Sequence, residues 1–159
     1  MCAHNGTHVD APFHFIRDGK RVGELSLVAT VGWAYVAEFE GTLGKEDAEA
    51  IVRRAQMKNK DAALRILIKG KAVVSEEAAK AFLDSGVYLL GNESQTVGPE
   101  DAPMAVHKIL LSGEVVLLEG IRLGAVKEGI YFLSAPPLLL GGADGAPVRA
   151  ILIDFNHSI

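Results

Sequence analysis

Apolar positions along this chain recur with two different periods. Within residues 46–57, Ala48, Ile51, Val52 and Ala55 fall at i, i+3, i+4 and i+7 with charged residues between them, which predicts an amphipathic helix. Its start is placed at a Thr42 N-cap or just after Gly44. A second helix is predicted from a Ser75 N-cap through Asp84. There Glu76 and Glu77 suit the positive end of the helix dipole, and Gly86 supplies the stop. The remaining apolar runs are short and rich in β-branched and aromatic residues. Residues 28–39 read as one or two strands, and 64–68, 87–90, 115–118, 130–134 and 148–153 as one strand each. Strands with two interspersed helices predict an α/β fold: a single domain over residues 1–159, with a central mixed β-sheet and flanking helices. No linker or repeat divides the chain, and 159 residues suffice for one sizeable core.

Composition narrows the function classes. Hydrophobic residues make up 49% and charged residues 23%, a globular rather than a disordered balance. A net charge of −4 offers no basic footprint for nucleic acid or an anionic membrane. The most apolar stretch, 133–143, contains Pro136, Pro137 and two glycines and is too short to cross a bilayer. One cysteine, Cys2, excludes an intramolecular disulfide framework and fits a reducing compartment, and the start shows no signal-peptide pattern. These features together predict a cytoplasmic protein with a small-molecule partner.

The chemistry concentrates near the start. His4, His8, Asp10 and His14 are packed into eleven residues and share one parity, so an extended segment presents them on one face. A turn at Asn5-Gly6 folds His4 back towards His8. Imidazole and carboxylate are the ligand set of zinc, manganese or iron(II). Solvated histidines on a loose terminus are the bland reading, but four same-parity donors beside a Gly-Thr and an Ala-Pro turn favour a site. Downstream, His107 precedes Ile109-Leu-Leu, and Glu119 follows Val115-Val-Leu-Leu. Each alone reads as a polar group at a core edge, although a carboxylate closing an apolar strand is costly unless paired. Glu93 and Asp101 read as solvated loop residues, and His157 as a loose tail residue.

His4-Asn-Gly-Thr-His8-Val-Asp10-Ala-Pro-Phe-His14 matches the pattern His-x-Gly-Thr-His-x-Asp-x-Pro-x-His without a mismatch. In this the chain resembles the cyclase-like metal-dependent hydrolases of the bacterial kynurenine formamidase and isatin hydrolase type. His107 and Glu119 stand where formamidase members carry a second pair of metal ligands, and Gly142-Ala-Asp-Gly-Ala-Pro-Val-Arg-Ala150 resembles the family's closing loop and last strand. Family members usually carry roughly fifty residues before the motif, so the resemblance implies an N-terminally shortened domain of the swivelling β/β/α type.

By that resemblance His4, His8 and Asp10 hold a first metal, and Asp10 and Glu119 bridge to a second held also by His107. Zinc is the expected ion and manganese the next, with one or two per chain. His14 is then free as general base and acid, with Glu119 as proton shuttle if only one ion binds. Asn5 and Thr7 orient the ligands. Phe13, Phe15 and Trp33 are available to a planar substrate, although core packing is their commoner use. The reaction implied is hydrolysis of an amide-like C–N bond in a formamide or small cyclic amide. A non-catalytic metal-binding remnant and a lactone or ring-closing enzyme on the same scaffold are the alternatives. A homodimer or higher homo-oligomer is expected.

Overall fold

The computed structural model describes residues 2–155. Its strands are β1 (His8–Asp10), β2 (Val31–Glu38), β3 (Gly41–Leu43), β4 (Arg65–Lys69), β5 (Ala72–Val74), β6 (Leu89–Asn92), β7 (Val116–Glu119), β8 (Gly129–Ser134), β9 (Gly145–Pro147) and β10 (Ile151–Ile153). Its α-helices are the single turn α1 (Leu27–Thr30) and the longer α2 (Lys45–Lys58), α3 (Glu76–Asp84) and α4 (Met104–Ser112). Eight strands form one mixed sheet in the order β10-β8-β2-β4-β6-β7-β1-β9, while β3 and β5 pair separately. The centre, β2-β4-β6-β7, is parallel, and β8 and β1 add antiparallel strands on either side.

Side-chain alternation decides what each face of the sheet buries. Tyr35, Ala37, Ile66, Ile68, Leu90 and Leu117 point to the side of the three longer helices, where they pack with Ile51, Val52, Phe82 and Leu110. Ala34, Val36, Leu67, Leu89, Val116 and Leu118 point the other way, to Ile121, Leu123 and Leu133. Strands buried on both faces read as unbroken apolar runs, which is why the central strands were visible in the sequence.

Helix α2 buries Ala48, Ile51, Val52 and Ala55, the predicted stripe. Its N-cap is Gly44, not Thr42, which lies in β3; the Gly44 N–H donates to Asp47 Oδ2 at 3.0 Å. Helix α3 begins at Ser75, whose Oγ accepts from the Ala78 N–H at 3.2 Å, and Gly86 follows it at φ +76°.

Other expectations are corrected. The segment 28–39 opens as the α1 turn, because Ser26 Oγ accepts the Val28 N–H, and only Val31–Glu38 is strand. Within 148–153 only Ile151–Ile153 is strand, and the neighbouring Gly145–Pro147 pairs at the opposite edge of the sheet. Three longer helices stand where two were expected, since 104–112 is helical. That helix buries Val106, His107, Leu110 and Leu111, and its two short apolar runs, split by His107-Lys108, are too brief to show a helical period. Glu93 is not a solvated loop residue: its carboxylate accepts the Gly70 and Leu123 N–H groups, both at 2.8 Å. Asp101 is exposed, and His157 lies outside the described residues.

The topology brings the chemistry together at the carboxyl end of the parallel strands, where α/β sheets commonly bind ligands. Val9 faces away from the three longer helices, so His8 and Asp10 face towards them. Glu119 shares the parity of Leu117 and sits opposite His8 in the β1–β7 register. Helix α4 lays His107 against them.

Candidate metal centre

Two carboxylates form the middle of the cluster. Asp10 Oδ1 lies 2.7 Å from His4 Nδ1 and 3.4 Å from His8 Nε2, while its Oδ2 lies 3.6 Å from His107 Nε2. Glu119 repeats the pattern, with Oε2 at 3.4 Å from His8 Nε2 and Oε1 at 3.2 Å from His107 Nε2. Each carboxylate therefore turns one oxygen to His8 and the other to His107. His8, Asp10, His107 and Glu119 are all buried.

Backbone carbonyls fix the imidazoles. His8 Nδ1 lies 3.0 Å from Gly6 O, and His107 Nδ1 lies 2.9 Å from Pro103 O. A carbonyl only accepts, so each Nδ1 carries the hydrogen and each Nε2 turns its remaining valence to the carboxylates. An imidazole lone pair facing a carboxylate oxygen is repulsive unless a positive charge stands between them. Only two occupants satisfy that arrangement, a proton or a metal cation. With protons, the charges follow directly. The Asp10 hydrogen bond outweighs burial and raises the His4 pKa to about 9. Burial pulls His107 down, but Asp10 and Glu119 together raise it to about 10. His8 is raised too, since Glu119 and the Gly6 carbonyl overcome its burial. Burial pushes the Asp10 carboxyl up, yet His107 and His4 hold it well below its usual value. A divalent cation fits this donor set: His4-His8-Asp10 and Asp10-His107-Glu119 are two adjoining groups close enough to hold one, and His4-His14-Asp144 is a third at the outer edge.

A cavity of about 170 Å3 opens on the cluster, lined also by His14, Phe15, Gln95, Thr96 and Pro103. The Phe15 ring stands edge-on to His14 at 4.5 Å and lies 5.1 Å from His107. Phe13 is placed elsewhere: the Arg21 guanidinium lies 4.3 Å over its ring. Trp33 packs with Phe132 and Phe155, away from the cluster. Thr7 Oγ1 donates to Gly120 O at 2.8 Å, tying the histidine loop to the residue after Glu119. Glycine is required there, because Gly120 sits at φ +66° and a Cβ would stand 2.4 Å from Gly6 O. Asn5 and Cys2 are exposed.

Four participants carried little signal in the sequence. The Gly6 and Pro103 carbonyls act through backbone atoms, which residue identity does not report. The Val97 N–H donates to Glu119 Oε1 at 2.9 Å from a loop without a pattern of its own. Asp144, in the Gly-Ala-Asp-Gly stretch, lies with Oδ2 2.8 Å from His14 Nδ1 and Oδ1 3.1 Å from His4 Nε2. The His14 contact is a hydrogen bond; the buried His4 Nε2 is close enough to Asp144 Oδ1 for an ion pair but makes no hydrogen bond. Burial raises the Asp144 carboxyl, but His14 and His4 bring it below its usual value. The 130-residue separation from His14 explains why no local motif announced this contact.

The chain is similar to known proteins over nearly its whole length. The Cyclase family model matches residues 1–99. A kynurenine formamidase of Bacillus cereus is 34% identical over 167 residues, covering 96% of this chain and 77% of that protein. A kynurenine formamidase of Salinibacter ruber is 35% identical over 168 residues, covering 97% and 77% respectively. Among solved structures, a potential metal-dependent hydrolase with cyclase activity aligns at a TM-score of 0.79 with 27% identity, over 96% of this chain and 79% of that one. From the matched sequence and the shared fold, this chain belongs to the cyclase family.

Proposed function

We propose that this chain hydrolyses an amide-like C–N bond of a small formamide or cyclic amide at a centre of two divalent cations, zinc first and manganese as the alternative. The observation that carries this reading is the shared disposition of Asp10 and Glu119, each with one oxygen towards His8 and one towards His107. His4, His8, Asp10 and Glu119 would hold one ion, and Asp10, Glu119 and His107 the other. The kynurenine formamidase names of its relatives support the formamide as the first substrate class. Divalent cations bound here supply positive charge that polarises a carbonyl oxygen and acidifies water.

The chain's own residues do the rest. His14 lines the cavity and takes the proton of the attacking water, then returns it to the leaving nitrogen. The water oxygen ends on the carbonyl carbon and the C–N bond breaks, which releases an acid and an amine from a formamide and opens the ring of a cyclic amide. Phe15 offers a flat apolar wall to an aryl group. A cytoplasmic homo-oligomer completes the reading. Its support is the single cysteine, together with exposed apolar side chains at Leu139, Ile151 and Phe155.

Metal analysis of the purified protein, with assays on N-formyl arylamines, isatin-like lactams and lactones, tests this reading. Two ions per chain and turnover of an N-formyl arylamine are expected. Turnover of lactones alone would instead favour a ring-ester enzyme, and metal binding without any turnover a non-catalytic remnant.

A further inference from the structure

Asp144 is absent from the proposed metal sets, yet it joins the one cavity histidine left outside them to a ligand histidine. Its position is fixed by the sheet. Strand β9 pairs with β1 in the register Asp10↔Gly145, and the Ala11 N–H donates to Asp144 O at 2.9 Å. The neighbouring Gly145 lets the His4 ring lie close, since a Cβ there would stand 2.5 Å from His4 Cε1. The rings of His4 and His14 stack at 4.0 Å between centroids, and Asp144 spans their edges. An ionised carboxylate only accepts hydrogen bonds, so the 2.8 Å contact requires the hydrogen on His14 Nδ1. His14 Nε2 is then the nitrogen without a hydrogen in the neutral ring, which is the form a general base needs.

We propose that Asp144 is the positioning residue of the proton-transfer step: it holds His14 in the Nδ1–H tautomer, leaving Nε2 to receive the proton of the attacking water. This rests on the hydrolase reading for its consequence in catalysis, but the tautomer is a property of the chain itself. The logic is that of the carboxylate behind a catalytic histidine in serine proteases, where an Asp→Asn exchange presents the wrong tautomer and costs about 10⁴ in turnover.

The experiment uses zinc-loaded protein with 15N-labelled histidine. In the wild type, two-dimensional 1H–15N spectra should show neutral His14 protonated at Nδ1. Asp144→Asn replaces an acceptor by a side chain that can donate, and should move His14 towards the Nε2–H form. On the N-formyl arylamine, kcat should fall by ~10²–10⁴-fold with KM, metal content and melting temperature little changed. In a His14→Ala background the same exchange should cost nothing further, because the two residues act as a unit. Wild-type His14 protonated at Nε2 would overturn the proposal even if no formamide were ever hydrolysed. Loss of metal from Asp144→Asn, or a full additional loss in the His14→Ala background, would equally overturn it by making Asp144 a scaffold of the metal site. If the tautomer is Nδ1–H and no amide is turned over, the positioning stands and the substrate reading fails.

Discussion

Asp10 and His14 lie four positions apart in the sequence, yet their substitutions should separate two tasks. Asp10 is buried and faces three imidazoles, so Asp10→Ala leaves those histidines without their shared anion. Metal content and activity should both be lost, which elemental analysis of the purified variant measures directly. Full metal in that variant would refute the ligand assignment. His14 makes no close contact with Asp10 or Glu119 and turns to Asp144 instead. His14→Ala should therefore keep its metal and lose ~10²–10⁴-fold in turnover. That His4, His8, Asp10 and His14 come together was legible from residue type and parity, which survive in a linear string, whereas His107 and Glu119 joined them only through the family resemblance. The partners of those ligands were not legible. Gly6 and Pro103 contribute only carbonyls, and Asp144 reaches its histidines through strand pairing.

At the level of elements, period decided what could be read. Helix α2 alternates charged and apolar residues, and α3 is announced by its serine cap and terminal glycine, so both were visible. Helix α4 carries two short apolar runs, 104–106 and 109–111, on either side of His107-Lys108, and runs that short cannot be told from buried strand segments by period. The loops at the carboxyl ends of the strands have no period at all, and there Glu93 departs from the solvated residue its loop predicts. Its two oxygens join the turn after β4 to the segment after β7 through the Gly70 and Leu123 N–H groups. Glu93→Ala would leave two backbone donors to find water or stay unmet, at a cost of ~1–3 kcal/mol. A solvated glutamate would change stability by less than ~0.5 kcal/mol. Denaturant titration distinguishes these outcomes, and a neutral Glu93→Ala would mean that the carboxylate is no clamp.

At the scale of the whole molecule, the buried cluster links stability, pH and metal. In the metal-free protein His4 is raised to about 9 and His107 to about 10, both from an ordinary value of 6.5. The folded chain therefore holds these protons more tightly than the unfolded chain does. Their stabilisation is fully present below about 6.5 and is lost as the pH rises through 9 and 10. Asp10 and Asp144, held below their ordinary values, act in the opposite sense, and their contribution fades as the pH falls into the carboxylate range. Metal-free protein should thus be most stable in mildly acidic solution and melt at progressively lower temperature towards pH 9. A divalent cation takes the place of the imidazole protons, so its binding competes with them and strengthens as the pH rises. The increase in melting temperature on adding zinc should accordingly be smallest near pH 6 and grow towards pH 9. Calorimetry with zinc and with a chelator, at matched pH across that range, measures the difference. An increment that does not grow with pH would mean that metal does not replace imidazole protons, and the cluster would then be an ion-pair network rather than a metal centre.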